Sequence, residues 1–112
     1  MPIRRSHTAV LEKNSTFTSD FATEPYEVAW ATEARWFIRL FECEGNQPDL
    51  HLQVQVSPDG LEWCNVPGEL TLDRPGLYTL VVAQFGHWLR LNGTLHGEDV
   101  RIRTQILLAL KE

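Results

Sequence analysis

The residues able to do chemistry in this chain are few, and their spacing keeps them apart. Its four histidines are His7, His51, His87 and His96. No two of them stand in an H-x-H or H-x-x-x-H pattern, and neither Cys43 nor Cys64 has a partner at C-x-x-C spacing. No metal set is therefore encoded locally, and none is expected. Carboxylates stand close together at Glu42 with Glu44 and at Glu98 with Asp99. Glycoside hydrolysis would need two such groups held about 5–10 Å apart across a cleft, whereas neighbouring acids on strand ends and loops are usually solvated. A Gly-rich phosphate loop, a G-x-S-x-G elbow and a nucleophile–base–acid order are all missing. The expectation is a protein that is not an enzyme and carries no cofactor.

Contact chemistry is better represented. Trp30, Trp36, Trp63 and Trp88 are many for 112 residues. Such rings either fill a small core or stack on sugars from an exposed face. The segment 34–43 is apolar on both parities. Trp36, Ile38 and Leu40 share one, while Phe37, Phe41 and Cys43 share the other, interleaved with Arg35 and Arg39. One parity must face the core. The other needs a cover, either the N-terminal segment around Phe17 and Phe21 or another subunit. Interfaces favour arginine and aromatic residues, so Arg35, Phe37, Arg39 and Phe41 are read as a subunit contact. The implied partner is a second copy or a larger protein assembly, with a glycan bound by exposed Trp or Tyr as the alternative.

Bulk composition limits the classes. The apolar fraction of 43% and charged fraction of 22% suit a single globular domain spanning residues 1–112. Ten Lys and Arg against fifteen Asp and Glu leave a net charge of −5. That balance disfavours nucleic acid, because neutralising phosphates supplies most non-specific affinity. The longest apolar runs, 77–83 and 106–110, fall short of the ~20 residues of a membrane helix. Residues 1–15 are polar and lack a secretion-type apolar segment, which suggests a cytoplasmic or virion-associated setting. Two cysteines do not make a disulfide framework, and whether Cys43 and Cys64 pair stays open.

The positioning elements read as strands. Gly and Pro punctuate short segments, the pattern of an all-β sandwich or barrel. Residues 50–56 alternate strictly, with Leu50, Leu52, Val54 and Val56 inward and His51, Gln53 and Gln55 on a wet face. Residues 61–66 read as the return strand of a hairpin. Residues 98–111 also alternate, and their length calls for a bend or bulge. Further strands are expected at 7–13, 77–83 and 87–91, the last ended by Asn92-Gly93, with a weaker one at 17–21. Residues 24–42 carry both a helix-start signal at Thr23, Glu24 and Pro25 and a β-rich run. Two strands broken near Thr32 and Glu33 fit the all-β surroundings better than a lone helix.

Ser57-Pro58-Asp59-Gly60-Leu61-Glu62-Trp63 is a turn with its own chemistry. Pro58 pre-sets φ, Ser57 and Asp59 can bond turn amides, and Gly60 permits the reversal. This S-x-D-G-x-x-W hairpin resembles that of discoidin-type, galactose-binding-like β-sandwiches. It is also similar to small phage and bacterial β-sandwich proteins of virions and surfaces, as are Gly76-Leu77-Tyr78, Trp88-Leu89-Arg90 and Gly97. The likeness spans about residues 34–110. It implies a single antiparallel jelly-roll-like β-sandwich of about eight strands, in which Ser57, Asp59, Gly60 and Trp63 are structural. It transfers no ligand-binding residue. The hairpin is also similar to the Asp-box of sialidase propellers but departs from it, since Asp59 and Gly60 are adjacent.

Overall fold

A computed structural model describes residues 4–112. Seven strands build it: β1 (Ser6–Phe17), β2 (Phe21–Ala22), β3 (Tyr26–Glu27), β4 (Glu33–Ser57), β5 (Cys64–Leu72), β6 (Gly76–Val82) and β7 (Trp88–Lys111). All pairings are antiparallel. β4 and β7 run together almost end to end, from Glu33 opposite Lys111 to Ser57 opposite Trp88. Laid straight, the 25 residues of β4 would reach about 80 Å at ~3.3 Å per residue. The longest dimension of the molecule is 53 Å, so this ribbon is bent.

The bend falls where the ladder slips, with register shifts between Leu40 and Glu42, Glu44 and Asn46, and Asn46 and Asp49. Gly45 (φ +128°) and Gly97 (φ +112°) lie there in backbone that L side chains avoid. A Cβ on Gly97 would sit 2.7 Å from the Gln47 carbonyl oxygen, and one on Gly45 would sit 2.8 Å from that of Asp99. Both strands need glycine for so close a crossing.

Each side of the bend gathers its own flanking strands. Residues 33–44 carry β6 on their free edge, and their partners 101–111 carry β1. Residues 46–57 carry β5, and their partners 88–98 carry β2 and β3. Counting each long strand as two, and β2 with β3 as one interrupted strand, gives eight. Numbered along the chain, the two halves run 1-8-3-6 and 2-7-4-5, the order of a jelly roll. The inner faces meet. Trp36, Ile38, Ile106 and Leu108 from one half, and Leu50, Leu52, Val54 and Leu91 from the other, are 0% exposed. A lone sheet leaves one face wet, so complete burial on both halves requires each to cover the other. They share one core cluster.

The segment 24–42 forms two strands with a break before Glu33, as expected: β3 occupies its start and β4 begins at Glu33. Other sequence expectations change. Thr23 caps nothing helical. It is buried, its Oγ1 accepts from the Leu91 amide at 3.0 Å, and its own amide donates to the Leu91 carbonyl at 2.9 Å. The expected strand at 17–21 is divided: Phe17 ends β1, Phe21 begins β2, and the chain bends through residues 18–20 between them. The return strand starts at Cys64 rather than Leu61, because Asp59 still holds the amides of Leu61 and Glu62 in the turn. Asn92-Gly93 ends no strand. β7 runs through it, and the Phe21 ring packs where a Gly93 side chain would be, 2.5 Å from a built Cβ.

Candidate interaction surface

Residues directly opposite one another in an antiparallel ladder share a face. On the half built by β1, 101–111, 33–44 and β6, the outward rows follow from register. One row holds Thr8, Ala109, Arg35 and Val81. The next holds Val10, Leu107, Phe37 and Thr79, and a third holds Gln105, Arg39 and Leu77. Inward residues alternate with these, so burying Trp36, Ile38 and Leu40 forces Arg35, Phe37 and Arg39 outward. The face carries exposed apolar side chains among its arginines. Leu77 is 60% exposed, Val10 57% and Val81 55%, and Phe37, Leu107 and Ala109 are half-buried between them.

Both arginines on this face are electrically unbalanced. Arg35 Nη1 donates to Thr79 Oγ1 at 3.2 Å. The ion pairs formed by arginine elsewhere involve Arg5, Arg74, Arg101 and Arg103. Among the described residues, neither Arg35 nor Arg39 has a carboxylate within 4.0 Å. A groove of about 680 Å³ opens at the end of the face, lined by Thr32, Arg35, Phe37, Val81, Gln84 and Lys111.

The four residues expected at a subunit contact are not equivalent. Arg35, Phe37 and Arg39 stand together in one column. Phe41 falls in the register shift beyond them, with the Arg103 guanidinium 4.6 Å from its ring centroid. Asn14 Oδ1 accepts from that guanidinium at 2.9 Å, and Glu42 lies 3.4 Å from it. Glu42 also accepts from Arg101 at 2.8 Å, and these bonds hold its carboxyl below the usual range. The same shift turns Cys43 inward, opposite buried Ile102, so it leaves the parity of Phe37. Burial pushes its thiol pKa up. Cys43 and Cys64 are both free thiols. Phe17 and Phe21 do not cover the stripe. They stack on each other at 3.9 Å and close one part of the core. Leu77, Val81, Val10 and Leu107 were not singled out by sequence. Their odd–even parity was the available signal, but a dense aliphatic run such as 77–83 conceals which parity faces out.

The S-x-D-G-x-x-W hairpin is held from within. Ser57 Oγ accepts from the Gly60 amide at 2.8 Å and donates to Asp59 Oδ1 at 3.1 Å. Asp59 Oδ1 accepts from the amides of Leu61 at 2.9 Å and Glu62 at 3.2 Å. These donors, led by Leu61 and Glu62, lower its pKa. Gly60 (φ +81°) lies against the Trp88 indole. The Arg90 guanidinium sits 4.2 Å from the Trp63 ring centroid. The loop thus lies over the outer face of the second half.

That second face is polar. Gln55 accepts from Arg90 Nε at 2.7 Å and donates to Asn65 at 2.9 Å. Gln53, expected on the wet side, is buried instead. β5 skips residues between Glu69 and Asn65 in its pairing, and the extra chain folds over the amide. Gln53 Nε2 donates to the Val66 carbonyl at 2.8 Å. The histidines stay apart. His51 meets Thr71, His96 meets Asp49 at 2.8 Å, and His7 stacks on Tyr26. No three His, Cys, Asp or Glu converge as metal ligands would among the described residues. No protein-family model and no curated protein matches this chain.

Proposed function

We propose that the chain is a non-enzymatic interaction module that self-associates through the outer face of its first half, as a structural component of a virion or surface assembly. The observation that carries this reading is one continuous face of Arg35, Phe37 and Arg39 among Val10, Leu77, Val81 and Leu107. Apolar surface of this kind on a monomer commonly marks an interaction site. Unpaired arginines beside aromatic rings are the residue types that carry binding energy in interfaces. The likeness of the hairpin to phage and bacterial structural proteins supports the assembly setting.

The test is to change Val10 and Phe37, which share one row of the face, together to Ser and to measure mass by light scattering. The expected result is a species of lower mass than the parent chain's multimer, with the circular dichroism of the folded parent. An unchanged mass with an intact fold would remove the reading. A second reading, a carbohydrate-binding module, is favoured by the amide and guanidinium row of Gln55, Asn65 and Arg90 beside Trp63 on the opposite face. Native mass spectrometry against a glycan panel separates the two.

A further inference from the structure

A sheet edge presents unpaired backbone groups, and proteins protect such edges with bulges, charges, Pro or shortness. The jelly roll has four edges. β1 is interrupted by two register shifts and carries Glu12 and Lys13. β5 contains a register shift, Pro67 and Glu69. β2 and β3 are two residues each. β6 has none of these devices. It is seven residues long, pairs with β4 without interruption, and reads Gly-Leu-Tyr-Thr-Leu-Val-Val with no charge and no Pro. Its only strand partner among the described residues is β4.

We propose that β6 is the pairing strand through which a second copy of this chain adds to the sheet, antiparallel and about a two-fold axis at Thr79. The sequence of β6 selects this occupant, because it is complementary to itself in that arrangement. With Thr79 opposite Thr79 of the second copy, Leu77 falls opposite Val81 of that copy, and Val81 opposite its Leu77. The two most exposed apolar side chains of the strand thereby cover each other on the outer face. On the inner side Tyr78 meets Leu80. Main-chain bonds supply affinity and the alternate side chains set register, as in other strand-addition contacts. An isologous contact of this kind closes as a dimer instead of growing into a fibre. The Arg35 row of one copy then continues into the Arg39 row of the other, forming one face across both. This rests on the self-association reading and adds to it an edge contact, which leaves the shared face open as the second contact.

The experiment uses the full chain with Cys43→Ser and Cys64→Ser. Thr79→Cys is added in one sample and Val10→Cys, at the opposite edge of the same face, in another. Opposed antiparallel residues lie about 4.5–5.5 Å apart between Cα atoms, within disulfide range. Mild oxidation is expected to link Thr79→Cys into a covalent dimer on a non-reducing gel and to leave Val10→Cys as monomer. Val81→Lys, at an exposed site that leaves the fold intact, is expected to give a monomer by light scattering. A multimer whose Thr79→Cys form links no faster than Val10→Cys overturns edge pairing and leaves the face as the contact. A parent chain monomeric at every concentration overturns both.

Discussion

Asp59 shows how much a single side chain organises when its acceptors are well placed. One carboxylate oxygen takes two backbone amides, and Ser57 donates to the same oxygen. Its pKa is depressed, so the ionised form is favoured in the folded chain. The folded state therefore binds this proton less readily than the unfolded one. The resulting stability is present above the ordinary aspartate value of about 4 and is lost as pH falls through the lowered folded value. Asp59→Asn is expected to lower the urea midpoint at pH 7. The difference from the parent chain should shrink steadily below about pH 4. Urea titrations at several pH values check this, and a gap that persists in acid would mean that charge is not what the turn uses.

Elements here are joined by residues outside any regular strand. β2 pairs at Gly93 and Asn92, and β3 at Leu89 and Trp88, so Leu91 lies between two short ladders. Thr23 fills the gap through its amide and hydroxyl. Thr23→Val keeps the shape but leaves the Leu91 amide without an acceptor in a buried position. The expected cost is about 1–3 kcal/mol, read as a lower midpoint in chemical denaturation. Hydrogen exchange at Leu91 should rise with it. This bridge was invisible to local reading, where Thr23 with Pro25 and Glu24 looks like a helix start. The same signals serve both ends, because a hydroxyl that accepts from a helix amide accepts equally well from a strand amide.

At the scale of the whole molecule, one bent ribbon supplies both layers, so neither half has a core of its own. Ile38 and Leu52 lie on opposite sides of the bend and are both fully buried. Ile38→Ala and Leu52→Ala are each expected to cost about 2–5 kcal/mol. Each should shift a single unfolding transition, seen identically by tryptophan fluorescence and far-UV circular dichroism. Trp36 reports from one half and Trp63 from the other. Two separated transitions in either variant would show that the halves fold independently.

The alternation at 50–56 and 100–110 sufficed to identify strands and to say which side chains face inward, because that periodicity belongs to one strand and is written locally. The turn at Ser57 to Gly60 was legible for the same reason, since its bonds span three residues. So was the outward column of Arg35, Phe37 and Arg39, once Trp36 and Ile38 are placed inside. Tertiary structure alone decided that 33–57 and 88–111 are single bent strands, that Gln53 is covered, that Cys43 turns inward, and that Phe17 and Phe21 leave the Arg–Phe face open. Each of those outcomes depends on the register between segments tens of residues apart, and register is a property of the pair that no single strand encodes.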